Sequence, residues 1–131
     1  MAEHAHAALV RRGYEAFSAG DTDTLRALLT SDCTHHVPGN HPLSGDFKGI
    51  DAVLGYYASL ATASDGTFRV ELQHLFVDGR GHVMAVHRAT ARRADKALDQ
   101  AGGIVFRIVG DKVSDLDECV ADLEAADAFW A

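Results

Sequence analysis

The chain has few cysteines, few prolines and no apolar run of the length that crosses a membrane. Of 131 residues, two are Cys, two are Pro and one is Trp. A membrane-spanning helix needs about 20 consecutive apolar residues, and every apolar stretch here is much shorter. Cys33 and Cys119 lie far apart without metal-ligand spacing, which favours reduced thiols over the alternative of a disulfide between them. The N-terminus has an acid and histidines where a signal peptide has basic residues, so we expect a cytoplasmic protein.

Basic charge is also scarce. The chain has 12 Lys and Arg against 19 Asp and Glu, a formal net charge of -7. Nucleic-acid binding needs a basic patch, so we expect no nucleic-acid partner. The pairs Arg11–Arg12 and Arg92–Arg93 are interpreted as solvated faces. With an apolar fraction of 47% and no internal repeat, the composition predicts a single globular domain over residues 1–131.

The first half of the chain is predicted to be mainly helical. Its junction at Ala19-Gly20-Asp21 is informative, because Gly20 can take the left-handed conformation that ends a helix. Asp21 then stands where the next helix needs an N-cap. Apolar spacing predicts a first helix, a second helix, a short strand and a third helix, at about residues 5–18, 22–29, 33–37 and 50–61.

The second half alternates apolar and polar residues with a period of two, which is typical of strands. Four strands are predicted, at about residues 68–73, 83–92, 98–108 and 113–121. Gly102 and Gly103 inside the third of these indicate a bulge or bend. Helices first and strands afterwards predict an α+β fold, a cone in which N-terminal helices pack on a strongly curved antiparallel β-sheet around an internal pocket.

A set of short segments, in this order, carries a resemblance to a known family: Tyr14–Phe17, Ala19–Asp21, His36–Gly39, Leu43–Gly45, Phe47–Gly49, Asp51–Leu54, Gly66–Phe68, Val105–Arg107 and Asp127–Trp130. They resemble the nuclear transport factor two-like superfamily, and within it the SnoaL-like, ketosteroid-isomerase-related group. The resemblance implies the same cone-shaped fold. It does not choose a reaction, because the superfamily includes isomerases, cyclases, hydrolases, dehydratases and binding modules.

The family's catalytic positions are only partly filled in this chain. Steroid-isomerase-like members use a Tyr on the first helix, an Asp before the Pro of the short strand, and a protonated Asp on the next-to-last strand. The resemblance places these at Gly13, Val37 and Ile104, so ordinary steroid-isomerase chemistry is not expected. SnoaL-like cyclases have a catalytic acid on the last strand, and here Glu118 fills that position. Their polar partner on the neighbouring strand corresponds again to Ile104.

Two residues are predicted to be catalytic, Glu118 and His87. Glu118 has the strand parity of Leu116 and Val120, which places it on the concave apolar face. A carboxyl group there is suited to proton transfer, because desolvation disfavours its charged form. His87 shares its face with small residues such as Ala85, and an imidazole in a cavity can transfer protons near neutral pH. The alternatives are a solvated Glu118 and a structural His87 in the core or at an interface.

Six residues are predicted to contact substrate: Tyr14, Phe17, His36, Tyr57, Ile104 and Leu116. The hydroxyl of Tyr14 or Tyr57 could donate a hydrogen bond to a developing oxyanion, or either ring could be a core aromatic. His36 is placed at the pocket mouth. Adjacent strand residues point to opposite faces, so His35 and His36 cannot both enter the pocket. This histidine-rich segment lacks the convergent spacing of a zinc site, so no metal is expected.

The sequence therefore predicts an acid–base enzyme without cofactor or metal, acting on a small apolar molecule in an internal pocket. Isomerisation, cyclisation, and hydration or dehydration all fit. The alternative is a non-catalytic small-molecule-binding or association module of the same fold. Apolar residues at Met84, Val86 and Val105 on the convex face predict a homodimer through that face.

Overall fold

The computed structural model describes residues 2–131, and in this range four helices pack against one six-stranded sheet. This confirms the predicted α+β class with helices on a curved sheet. The helices are α1 (Ala5–Ala19), α2 (Thr22–Leu28), α3 (Ile50–Ala63) and α4 (Leu123–Trp130). The strands are β1 (Leu29–Val37), β2 (Gly45–Lys48), β3 (Arg69–Val77), β4 (His82–Arg93), β5 (Lys96–Val109) and β6 (Lys112–Val120).

The junction between α1 and α2 forms as predicted. Gly20 takes the left-handed conformation, with φ 68°, and its N–H donates to carbonyl oxygens of the last turn of α1. Asp21 caps α2, since its side chain accepts a hydrogen bond from the backbone N–H of Thr24 at 3.1 Å. The left-handed glycine and the acidic cap turn the chain sharply without leaving these helix-end groups unpaired.

The sheet is mixed, which corrects the prediction of a wholly antiparallel one. Its strand order is β2-β1-β6-β5-β4-β3, and β1 runs parallel to β6 while the other neighbours are antiparallel. Periodicity identifies a strand but not its neighbour, so the long-range pairing of β1 with β6 was not predictable from alternation. The strand β2 and the helix α4 were also not predicted. Asp122 caps α4 by accepting from the N–H of Ala125 at 3.0 Å.

Gly102 and Gly103 do not form the predicted bulge. Pairing of β5 with β4 and β6 continues in register through both residues. The glycines instead permit close approach, because a Cβ on Gly103 would collide with the carbonyl oxygen of Ala85 on β4. The register shifts lie elsewhere: between Leu29 and Thr34 in β1, at Gln73 in β3, and opposite Arg107 and Ile108 of β5, where Ser114 of β6 is the extra residue.

The helices cover only one face of the sheet. Helix α1 packs on β3 and β4, and α3 packs on β1. One core cluster centres on Val10, Val53 and Val83, and a second contains Phe129 and Trp130 of α4. Cys33 is buried and Cys119 is exposed, and both are free thiols. Within residues 2–131, no helix combines the length and apolar character needed to cross a membrane.

Candidate active site

A cavity lies between the helices and the concave face of the sheet. Its volume is about 130 Å³, comparable to cavities that hold a single aromatic ring. Most lining side chains are apolar or aromatic. Eight of the lining residues also bring polar atoms to this mainly apolar cavity: Tyr14, His35, His41, Tyr56, Tyr57, His87, Gln100 and Glu118. Among the lining residues of the described chain, Glu118 is the one acid, and none is Lys or Arg.

Glu118 reaches this cavity from β6. It pairs with Ile104 of β5, so the two residues that the family resemblance aligned as neighbours are direct cross-strand partners. Its oxygen Oε1 lies 2.9 Å from Nε2 of His35 and accepts a second hydrogen bond from the hydroxyl of Tyr56 at 3.3 Å. Both of these bonds use Oε1, which leaves Oε2 for another partner. The Glu118 side chain is 20% exposed, so the carboxylate is partly desolvated and not sealed off.

His35 supports Glu118 and was not predicted as a site residue. It is 2% exposed on β1, and the Tyr57 hydroxyl lies 3.0 Å from its Nδ1. Burial, followed by the charge of Glu118, raises the pKa of Tyr57, so this phenol stays protonated. In the neutral imidazole, Tyr57 therefore donates to Nδ1 and Nε2–H donates to Glu118. A hydrogen-bonded chain thus runs from α3 through β1 to β6.

The prediction that His36 lies at the cavity is wrong. His36 points to the outer face, where its Nδ1 lies 2.8 Å from Asp46 Oδ1 and its Nε2 lies 3.6 Å from Asp117 Oδ1. The reason is strand parity, since Cys33, His35 and Val37 are all buried and share one face. Cys33 and Val37 are the more apolar residues of this segment, so their parity was a signal that would have selected His35.

His87 lines the cavity from β4, as predicted, and forms a pair with Tyr14 of α1. The Tyr14 hydroxyl lies 2.7 Å from Nδ1 of His87. Burial raises the pKa of Tyr14, and burial lowers the pKa of His87, although the charge of Glu118 opposes the second shift. A phenol O–H is a stronger donor than an imidazole N–H, and an imidazole nitrogen is a stronger acceptor than a phenol oxygen, so we assign the bond as Tyr14 donating to Nδ1 of a neutral ring whose Nε2 carries the hydrogen. A Cβ on Gly102 would lie 3.3 Å from that Nε2, so the glycine leaves room beside it.

His41 is a third histidine of the cavity wall, which the sequence interpretation did not single out. Its Nδ1 accepts the backbone N–H of Leu43 at 3.1 Å, and its ring centroid lies 6.5 Å from that of Trp130 on α4. Desolvation lowers the pKa of His41, while the charges of Asp127 and Glu118 oppose that shift. The loop conformation that turns this ring inward depends on contacts with α4, which alternation of residues cannot reveal.

The other predicted contact residues also border the cavity. Phe17, Tyr57, Ile104 and Leu116 are all part of its lining. Phe17 packs edge-on against Tyr57 with ring centroids 5.3 Å apart. Their location agrees with the predicted substrate contacts, and the contacts themselves stay a prediction. In the described residues, no group of three or more His, Cys, Asp or Glu is arranged to hold a metal ion.

Comparison with known proteins places the chain among relatives of the same length. Residues 10–116 match a family model described as the SnoaL-like domain. An uncharacterised protein of Mycobacterium tuberculosis strain H37Rv is 39% identical over 131 residues, which is all of both chains. The structure of Bal32a, from a soil-derived mobile gene cassette, has a TM-score of 0.95 at 38% identity and covers 97% of each chain.

A more distant structure shares the architecture alone. It belongs to a Jannaschia sp. CCS1 protein that has been assigned as a SnoaL-like polyketide cyclase. Its TM-score is 0.80 at 17% identity, and the match covers 98% of this chain and 94% of that one. At such identity the likeness concerns the fold and not the reaction.

Proposed function

Because this chain belongs to the SnoaL-like domain family, we propose that it is a cofactor-independent acid–base enzyme acting on a small apolar molecule in the cavity. Glu118 is the proton acceptor and donor, and His87 is the hydrogen-bond donor to the ligand. The observation that carries this proposal is the unequal use of the Glu118 oxygens. Oε1 is occupied by His35 and Tyr56, whereas Oε2 is left for a ligand.

The proposed step is a proton transfer at carbon. Oε2 of the Glu118 carboxylate removes a proton from a C–H bond next to a ligand carbonyl. The electrons of that bond form a carbon–carbon double bond, and the carbonyl electrons move to oxygen. The neutral His87 donates its Nε2–H to this oxyanion, in a site whose apolar walls strengthen the interaction. The Glu118 carboxyl group then returns a proton to the same carbon or a conjugated one while the oxyanion electrons re-form the carbonyl. Return to a conjugated carbon gives isomerisation, and return to the same carbon gives exchange once the carboxyl proton has been replaced by one from solvent. An enolate carbon that attacks a second carbonyl of the ligand would instead close a ring, and the resulting alkoxide would take the proton from Glu118.

A second function is a non-catalytic ligand-binding module of the same fold. It is favoured by the identity of three residues, Gly13, Val37 and Ile104, where the resemblance to steroid isomerases would require a tyrosine and two acids. The two functions differ in whether the Glu118 carboxylate is needed for turnover. The test uses cyclohexanone, an uncharged one-ring ketone with C–H bonds next to its carbonyl, in D₂O, with deuterium incorporation followed by NMR. Exchange that requires Glu118 supports the enzyme, and absence of catalysed exchange contradicts it.

We also propose that two copies associate through the outer face of the sheet. Phe76 of β3, Met84 of β4 and Val105 of β5 are direct cross-strand neighbours and are 52%, 48% and 37% exposed. Such contiguous apolar surface is costly in water unless it is covered.

We expect sedimentation to give a dimer at micromolar concentration, and Met84→Glu to convert it to a monomer, because a charge at the centre of the patch would be buried. Asp46→Asn, on the outer face of the edge strand β2 and away from β3, β4 and β5, is the control and should leave the dimer intact. A monomeric wild-type protein at that concentration would contradict the proposal.

A further inference from the structure

The three histidines of the cavity wall share one arrangement. In each ring, Nδ1 is held by the protein: by the Tyr14 hydroxyl for His87, by the Tyr57 hydroxyl for His35, and by the Leu43 backbone N–H for His41. A neutral imidazole has one donor and one acceptor nitrogen, and the bond made by one nitrogen sets the role of the other. With Nδ1 accepting, Nε2 carries the hydrogen in all three rings.

These Nε2–H groups are not equivalent. That of His35 is already used, because it lies 2.9 Å from Oε1 of Glu118. His41 and His87 make their bonds through Nδ1, and their Nε2–H groups are left for a ligand. His87 is 7% exposed and lies on the sheet side of the cavity, next to Gly102. His41 borders the same cavity beside Trp130 of α4.

We propose that His41 and His87 form two hydrogen-bond donor subsites for one ligand, an uncharged molecule of about one ring that carries two acceptor oxygens, such as a diketone. The inference rests on the proposed function only in placing the ligand in the same cavity. It adds His41 as a binding residue and states what the ligand must offer at each end.

The charge of the cavity selects an uncharged ligand. Among the described lining residues there is no Lys or Arg to pair with a carboxylate or phosphate. Glu118 would repel such an anion, and desolvation lowers the pKa of both His41 and His87, which keeps these rings neutral. Burying an anion without a cationic partner is strongly unfavourable. Most of the remaining lining is apolar or aromatic, which suits a hydrocarbon ring.

The probes are cyclohexane-1,4-dione, with two acceptor oxygens, and cyclohexanone, with one. Trp130 is the single tryptophan of the chain and borders the cavity, so its fluorescence reports occupancy. The variants are His41→Asn and His87→Asn. An asparagine oxygen can replace Nδ1 as acceptor of the Leu43 N–H or the Tyr14 hydroxyl, but its shorter side chain offers no donor at the Nε2 position.

We expect the dione to bind about 2- to 12-fold more tightly than cyclohexanone, the range of one neutral hydrogen bond. Each Asn variant should lose about that factor for the dione and bring its affinity down to that of the monoketone. Equal affinity of the two ketones for the wild type, or no binding of either, would overturn the proposal.

A second measurement does not depend on the variants folding normally. Histidine ¹⁵N NMR of the wild-type protein should show Nε2 of both His41 and His87 shifting when the dione is added, with His35 unchanged. A shift confined to one ring would overturn the two-subsite arrangement. Glu118→Gln should retain dione binding. Absence of catalysed exchange in the wild-type protein, with dione binding intact, would overturn the proposed enzyme and not the two donor subsites.

Discussion

Glu118→Gln is expected to lower catalysed deuterium exchange into cyclohexanone by at least about 100-fold, the usual contribution of a positioned general base. The glutamine oxygen can take the place of Oε1 and still accept hydrogen bonds from His35 and Tyr56. The amide nitrogen that replaces Oε2 cannot accept a proton. The substitution therefore removes the base while it retains the shape of the cavity.

The control for this variant is Asp117→Asn. Asp117 is the preceding residue of β6, and its side chain is 62% exposed on the outer face, where it lies near His36. It loses the same charge without touching the cavity, so exchange should continue at the wild-type rate. Ketone affinity measured through Trp130 should be retained in both variants. Wild-type exchange in Glu118→Gln would remove this carboxylate from the chemistry.

Gly103→Ala should lower the free energy of unfolding by about 1–3 kcal/mol, the usual cost of overpacking a well-packed interior. A Cβ on Gly103 would collide with the carbonyl oxygen of Ala85 and lie 3.4 Å from its carbonyl carbon. The obstacle is backbone of a neighbouring strand, so no side-chain rotation relieves it. Strands β4 and β5 would have to separate at the point where the sheet supports His87.

The matched control is Gly55→Ala in α3. No atom lies within 4 Å of a Cβ placed at this exposed helical position. Alanine has a higher helix propensity than glycine, so this variant should gain up to about 1 kcal/mol. Urea unfolding of both variants and the wild type provides the comparison. A Gly103→Ala protein as stable as the wild type would show that β4 and β5 do not approach each other this closely.

Much of the architecture was predictable because it depends on local pattern. Glycine and aspartate at the α1–α2 junction act within a few residues of themselves, so their roles follow from conformational preference and capping. Alternation in β4 placed Val83, Ala85 and His87 on one face, and the structure buries all three. The resemblance to the SnoaL-like family, which rests on segments spread over nearly the whole chain, was confirmed.

The candidate site was predicted less completely because it depends on which elements meet. Glu118 was assigned to the concave face from parity, and the structure places it there. His36 was predicted to enter the cavity instead of His35, although the apolar residues Cys33 and Val37 have the same strand parity as His35. Tyr56 was not predicted as a site residue although its neighbour Tyr57 was, and α3 directs both rings toward the cavity.

Short-range patterns in the chain are sufficient to establish its first three helices, its main strands and the alternation of faces along each strand, because these follow from backbone preference and a period of two. They are silent on the parallel contact of β1 with β6, which brings His35 within 2.9 Å of Glu118 across 83 positions of sequence. The same holds for α4, which places Trp130 beside His41. Hydrogen bonds between distant residues form only when the whole chain has packed, so the chemistry of the cavity is a property of the folded molecule.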